Sequence, residues 1–270
     1  MTDEEQVIIT STRNRRIVAA RKLDRRKYRH RQGRFLVEGL QLLHMALDAR
    51  ARPIEVFYCE SLFVGTQAEA LLARFGQTEA EPVPVSDYVM DALSERENAQ
   101  GIVATFALCD VPLAQLELAQ GLLLVLDQLQ DPGNVGTLIR TADAVGAEGV
   151  ILIEPCADVF DPKVVRASMG SLFNLPIARA TEADDVFARL RESGLRAIGA
   201  DVYLGIDWGE GLWKGGVALV LGNEARGLSG DVRGHLDGWA KLPMVGGAES
   251  LNVAVAGGVL MYAWLRANFT

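Results

Sequence analysis

The run Leu122-Leu123-Leu124-Val125-Leu126 restricts the fold of this chain more than any other feature of its sequence. Successive side chains of a strand point to opposite faces, so five large aliphatic residues in a row need cover on both sides. Such strands belong inside parallel sheets flanked by helices. The run ends at Asp127, a Pro132-Gly133 turn follows, and a helix is predicted to start near Asn134. On that helix Val135, Leu138, Ile139, Ala142 and Val145 share one apolar stripe, while Arg140 projects about 100° or more away from it. In open α/β sheets, ligands bind beyond the carboxyl ends of the strands, which is where this turn lies.

The same alternation runs through the whole chain. The first part predicts a helix over 11–23, a strand at Arg34–Glu38, a helix over 39–49, a strand over 54–58, a helix over 69–75, a strand over 83–85, a helix at Asp87–Leu93 and a strand over 102–106. A connector with Pro112 follows over 107–120. Beyond it come strands at 122–126, Gly149–Ile153, 197–200 and Val217–Leu221, helices over 162–173 and 184–193, and a closing helix over 251–267. The 270 residues therefore divide into an N-terminal α/β domain of residues 1–106, a linker of 107–120, and an α/β domain of 121–270.

Composition narrows the function. With 49% apolar and 23% charged residues the chain is not a disordered one. Its three cysteines and three histidines are scattered, without the spacing of a metal site or a disulfide framework, so no metal is expected. The longest apolar stretch, 251–265, contains Asn252 and falls short of the ~20 residues that a membrane span needs. The start, with Asp3, Glu4 and Glu5, does not resemble a targeting peptide, and a cytoplasmic protein without membrane contact is expected. The net charge of −8 conceals an asymmetry. Eleven Lys/Arg residues and one acid, Asp24, fall between Arg13 and Arg34, leaving 16 bases against 34 acids elsewhere. A concentrated basic segment in an acidic protein fits phosphate contacts, and Arg13, Arg15, Arg16, Arg25 and Arg26 are the candidates. The alternative for such a run is a solvated helix face.

Two further stretches have glycines where a backbone would approach a ligand closely. In Leu219–Ser229 a buried strand runs into Gly222-Asn223-Glu224-Ala225-Arg226-Gly227. In 242–256, glycines precede Ser250, a candidate cap for the last helix, and Asn252 sits among apolar neighbours whose burial would demand partners for its amide. Each stretch alone reads equally as a turn, a cap or a satisfied polar residue.

Together the three stretches resemble the signature motifs of the SpoU/TrmH branch of the SPOUT RNA methyltransferases, in the same order. Asn-x-Gly-x-x-x-Arg-Thr-Ala stands at 134–142, Gly-x-Glu-x-x-Gly-Leu at 222–228, and Pro-Met-x-Gly-x-x-x-Ser-Leu-Asn-Val at 243–253. The N-terminal ~105 residues resemble that family's small, ribosomal-protein-like substrate-binding domain. The resemblance implies an α/β catalytic domain with a trefoil knot, a homodimer, S-adenosylmethionine as cofactor, and methylation of a ribose 2′-hydroxyl in RNA. It implies Arg140 as catalytic residue, with Asn134, Glu224, Ser250 and Asn252 holding the loops and positioning Arg140 or the ribose. Gly222, Leu242, Met244 and Leu251 are implied cofactor contacts. Arg166 resembles a position used near the target phosphate, a solvated Arg being the alternative. A sulfonium methyl is already activated, so the reaction needs alignment and removal of a weakly acidic proton. Arg140 is usually assigned as base; because a guanidinium holds its proton far above neutral pH, stabilising the developing alkoxide is an equally open role.

Large-subunit ribosomal RNA is the favoured substrate, since two-domain members mostly act there. Transfer RNA is the alternative, as is a non-catalytic RNA-binding or assembly protein on the same fold. A nucleotide-binding Rossmann enzyme is disfavoured, because no Gly-x-Gly-x-x-Gly turn or Walker loop is present.

Overall fold

The computed structural model describes residues 7–95, 99–208 and 211–269; Asp3, Glu4 and Glu5 lie outside them. Two compact units emerge. One comprises the chain up to residue 108 together with 160–165, the other 109–159 and 166 onward.

The first unit carries α1 (Arg15–Arg21), α2 (Arg26–Gln32), β1 (Arg34–Glu38), α3 (Leu40–Asp48), β2 (Pro53–Tyr58), α4 (Gln67–Phe75), β3 (Glu81–Pro84), α5 (Asp87–Leu93) and β4 (Ile102–Ala107). Its sheet runs β1-β4-β2-β3, mixed in direction because β4 is antiparallel to β1 and β2 while β2 and β3 are parallel. Ile17 and Ala20 of α1 pack with Val89, Met90 and Leu93 of α5 over Phe57, Val83 and Val103 of the sheet. Phe160 is buried in this unit, its ring 4.9 Å from that of Phe35. The sequence predicted one helix from Ser11-Thr12 to Leu23. Instead Asn14 caps α1, its side chain accepting from the Arg16 N–H at 2.9 Å, and a 3-10 turn at Lys22–Asp24 separates α1 from α2.

The second unit carries β5 (Leu122–Asp127), α6 (Pro132–Ala144), β6 (Gly149–Ile153), α7 (Pro162–Ala167, shared with the first unit), β7 (Ile177–Ala180), α8 (Ala183–Glu192), β8 (Arg196–Ala200), β9 (Ile206–Asp207), β10 (Val217–Leu221), α9 (Gly230–Arg233), β11 (Gly238–Lys241) and α10 (Val253–Phe269). All strands pair in parallel, in the order β7-β6-β5-β10-β8-β11-β9. Every residue of β5 is buried, as two-sided cover of the aliphatic run requires. The stripe Val135, Leu138, Ile139, Ala142 and Val145 is buried as well. Asp131 caps α6 by accepting from the Asn134 N–H at 2.7 Å, with Pro132 in the first turn, where its missing N–H costs nothing.

Four expectations change. The helix predicted over 162–173 ends at Ala167, because Met169 and Gly170 take left-handed conformations that a helix does not continue through. β7 and β11 are strands too short for their alternation to be read from sequence. Asn252, not Ser250, caps the last helix: its Oδ1 accepts from the N–H groups of Ala254 at 2.9 Å and Val255 at 3.3 Å. Asn252 is exposed rather than buried, because it precedes the apolar helix instead of sitting within it.

β11 lies between β8 and β9, although β8 and β9 are separated by only residues 201–205. Ala240 of β11 pairs with Ala200 on one side and Ile206 on the other. The short crossover is tight: Gly205 has φ +101°, and a Cβ there would stand 2.2 Å from the Trp239 carbonyl oxygen. Glycine is the residue that fits.

Candidate active site

Within the second unit, the chain beyond the carboxyl ends of β8, β10 and β11 encloses a cleft of about 640 Å³. Gly222, Leu242, Met244 and Leu251, the four predicted cofactor contacts, all line it. Glu224, Ser250 and Asn252 line it too. The buried aliphatic side chains of Leu221 and Leu260 supply apolar wall, and Asp201 and Glu249 bring carboxyl groups. The volume is in the range of small-molecule sites. The apolar wall suits the adenosine and the Glu249 carboxylate complements the positive charge of S-adenosylmethionine, so the residues present fit that cofactor.

The loop after β10 is closed by reciprocal main-chain bonds, Asn223 N–H to Gly227 O at 3.0 Å and Gly227 N–H to Asn223 O at 2.9 Å. Closure brings Gly227 and Leu228 against Gly222: a Cβ on Gly222 would lie 2.3 Å from the Gly227 carbonyl carbon and from the Leu228 nitrogen. A side chain is therefore excluded at this position. The Asn223 amide donates to the Gln128 carbonyl at 2.8 Å, and the buried Asp127 carboxyl accepts from the Ser229 N–H at 2.6 Å, fastening the loop to the end of β5. Neither Asn223 nor Asp127 was singled out from the sequence; an acid ending a fully apolar strand was the available signal for Asp127.

One hydrogen-bond chain ties the three stretches together. Glu224 Oε1 accepts from the Asn134 amide at 3.1 Å and the Asp131 N–H at 3.2 Å, and Oε2 from the Gln130 N–H at 3.4 Å. Asn134 Oδ1 in turn accepts from the Asn252 amide at 3.0 Å. Glu224 thus fixes Asn134, and Asn134 fixes Asn252, which caps α10. Burial pushes the Glu224 carboxyl up, but the bonds from Asn134, its own N–H, Asp131 and Gln130 outweigh it and hold the group below its usual 4.5. A carboxyl lowered on folding contributes order that is complete above its unfolded value and is lost as pH falls through the lower folded value. Activity measured from pH 5 to 8 is expected to show no step from Glu224, whereas Glu224→Gln, which must turn its amide N–H toward at least one of these donors, is expected to lower kcat at least tenfold at every pH in that range.

Arg140 stands apart. It is exposed on α6, lines no part of the cleft in the single chain, and its guanidinium makes no hydrogen bond or ion pair among the described residues. Beside it on α6, Asn134, Thr137 and Thr141 border an apolar groove with Val255, Val259 and Tyr262 of α10, of about 830 Å³. Tyr262 and Val255 are each 53% exposed there. Arg166 is half-buried in the last turn of α7.

The basic candidates of the first unit separate into two groups. Arg13, Arg15, Arg25 and Arg26 are exposed. Arg16 is committed to the protein itself, donating to Glu55 at 2.9 Å and Glu81 at 2.6 Å, while Arg34 also pairs with Glu55. Arg29, buried, donates to the Leu23 and Asp24 carbonyls. Sequence alone could not distinguish these arginines, because their acceptors lie up to 65 residues away.

Comparison with known proteins decides the family. Residues 121–262 match the model of the SpoU rRNA methylase family, and residues 14–104 that of the MRM3-like substrate-binding domain. The chain belongs to the SpoU rRNA methylase family. This SpoU methylase is 33% identical over 254 residues to the 23S rRNA (guanosine(2553)-2′-O)-methyltransferase of Bacillus subtilis, covering 94% of this chain and 97% of that one. It resembles the S-adenosylmethionine-bound rRNA methyltransferase of Sinorhizobium meliloti with a TM-score of 0.88 at 32% identity, covering 96% and 97% of the two chains. The cofactor complex of the SpoU methyltransferase AviRb from Streptomyces viridochromogenes matches with a TM-score of 0.86 at 30% identity, over 94% and 98%. As a member of this family the chain is an S-adenosylmethionine-dependent RNA ribose 2′-O-methyltransferase. Among its described residues no helix is long and apolar enough to cross a membrane, and no cluster of His, Cys, Asp and Glu suits a metal ion.

Proposed function

We propose that this SpoU methylase modifies a ribose 2′-hydroxyl of large-subunit ribosomal RNA as a cytoplasmic homodimer. The observation that carries the activity is the Glu224–Asn134–Asn252 chain, which joins the three motif stretches at the mouth of one cleft. Relatives that align along nearly the full length, substrate-binding domain included, count among them the 23S rRNA enzymes of Bacillus subtilis and Streptomyces viridochromogenes, which favours rRNA over tRNA. Bound S-adenosylmethionine supplies a methyl group already activated by its sulfonium sulfur. Gly222, Leu242, Met244 and Leu251 hold that cofactor, chiefly through the main chain. Asn134 and Asn252 orient the ribose, and Ser250 lies beside them. The ribose hydroxyl would take that methyl group and lose its proton to water. An exposed guanidinium keeps its charge at neutral pH, so Arg140 acts as a cation that steadies the developing alkoxide and the adjacent phosphate.

The groove along α6 and α10 supports the dimer. An apolar helix face of this kind, carried by a single chain, is self-complementary when two copies meet about a twofold axis. Since Arg140 adjoins the groove and misses the cleft of its own chain, one protomer delivers Arg140 to the cleft of its partner. The position of β11 between β8 and β9, under a crossover of five residues, supports a trefoil knot in this unit.

The decisive experiment incubates the protein with labelled S-adenosylmethionine and unmodified 23S rRNA, 50S particles or total tRNA, then maps alkali-resistant linkages. Labelled linkages in 23S rRNA or 50S particles are expected; label confined to tRNA would overturn the rRNA reading, and absence of label in all three the enzymatic one. The basic segment is tested by salt dependence. Replacing Arg13, Arg15, Arg25 and Arg26 together is expected to reduce the slope of log affinity against log salt by about 2–3, at ~0.7 per phosphate contact. Arg16→Ala is expected to lower the melting temperature and leave the slope alone. Filter binding at four salt concentrations reads both.

A further inference from the structure

The rim of the cleft has a side that the methyl-transfer chemistry does not use. Val202, Tyr203, Leu204 and Ile206, in and next to the crossover over β11, are all exposed, and Tyr203 is 82% exposed although it borders the cleft. Large apolar side chains clustered at the mouth of a site mark a surface that meets a partner. Arg226 borders the same cleft and is also exposed, and its guanidinium makes no hydrogen bond or ion pair among the described residues.

The loop that carries Tyr203 is pinned. Asp201 Oδ1 accepts from the N–H groups of Tyr203 at 2.8 Å and Leu204 at 3.0 Å, and its own N–H donates to the Ala240 carbonyl at 3.1 Å. Its other oxygen lies 3.6 Å from Arg233, which is itself held by the Leu228 carbonyl and by the Trp239 ring, 5.4 Å away. Gly205 closes the turn against the Trp239 backbone. The ring is thus presented to solvent on a braced loop, so little entropy is lost when a flat partner covers it.

Charge selects the occupant. S-adenosylmethionine carries a sulfonium and an ammonium group against a single carboxylate, whereas every nucleotide of a polynucleotide brings a phosphate for the guanidinium of Arg226. An aromatic face and a guanidinium at one cleft are the combination that grips single-stranded nucleic acid, base on ring and phosphate on cation. Resting on the RNA-methylating reading above, we propose that Tyr203 stacks on an unpaired base flanking the target nucleotide, with Arg226 holding an adjoining phosphate. Tyr203 is then a positioning and specificity residue for the RNA.

The test compares wild type, Tyr203→Ala, Tyr203→Phe and Arg226→Ala, with in vitro transcribed 23S rRNA as substrate and calorimetry for S-adenosylmethionine. Base stacking is worth ~1–3 kcal/mol per base, so Tyr203→Ala is expected to raise the RNA KM about 5- to 150-fold. Its cofactor Kd should stay within twofold of wild type, and Tyr203→Phe should restore the KM. Arg226→Ala is expected to lower the salt slope of RNA binding by ~0.7. A weakened cofactor Kd in Tyr203→Ala, with or without a change in KM, would make Tyr203 a cofactor wall and overturn the proposal. An unchanged RNA KM, or failure of Tyr203→Phe to restore it, would overturn it as well. Wild-type protein that methylates no RNA would instead remove the enzymatic reading, a separate result.

Discussion

Arg140→Ala is expected to lower kcat about 10²- to 10³-fold, the cost of removing one donor aimed at a developing oxyanion, while S-adenosylmethionine binding stays within twofold. The reason for the split is geometric: Arg140 borders no part of the cofactor cleft of its own chain and makes no bond among the described residues that its loss would break. Single-turnover kinetics with 23S rRNA and calorimetry with the cofactor measure the two halves. Arg140→Lys separates base from cation. A lysine ammonium gives up its proton more readily than a guanidinium, so a base role predicts activity in Arg140→Lys that climbs toward pH 10. A charge-and-phosphate role predicts activity below wild type and flat with pH, since a point charge replaces a two-pronged donor. The flat outcome is expected. Mixing Arg140→Ala with Gly222→Ala protomers tests the proposed delivery of Arg140 between two copies of the chain. Only a protomer with an intact cleft facing a partner with an intact Arg140 restores turnover, and no restoration means that each Arg140 serves its own chain.

Gly222→Ala is expected to abolish useful cofactor binding, raising Kd at least 100-fold. The added methyl would stand 2.3 Å from two main-chain atoms of residues 227 and 228, and neither can move without opening the 223–227 loop. Opening it draws Glu224 from Asn134 and so loosens all three motif stretches. Overpacking of this kind costs about 1–3 kcal/mol, which for a protein of this size lowers the melting temperature by several degrees without unfolding it at 25 °C. Gly230→Ala is the control, because nothing lies within 4 Å of its Cβ position. Equal cofactor binding by the two variants would mean that the loop does not form the cofactor site.

The β5 and α6 core was legible because burial imposes a pattern on consecutive residues. A strand covered on both faces reads as an unbroken aliphatic run, and a helix covered on one face repeats every three or four residues. The three motif stretches were legible too, since glycines and polar residues after a buried strand break that pattern at fixed places. Asn252 shows where local reading fails. Its apolar neighbours on one side suggested burial, but the chain changes from loop to helix at that residue, so its amide became a cap. The short strands β7, β9 and β11 carry too few residues to display an alternation.

Sequence by itself determined which residues are chemically equipped for the site and that the chain forms layered α/β structure, because both depend on side-chain type and on spacing of a few residues. Tertiary structure alone decided that Glu224, Asn134 and Asn252 form one chain across 118 residues. It also decided that Arg16 is spent on Glu55 and Glu81 while Arg13 and Arg15 stay exposed, and that β11 passes between β8 and β9. Each of these is a long-range pairing. The free energy of such a pairing depends on where two distant segments are brought by the packing of everything between them, and no local pattern of residues carries that information.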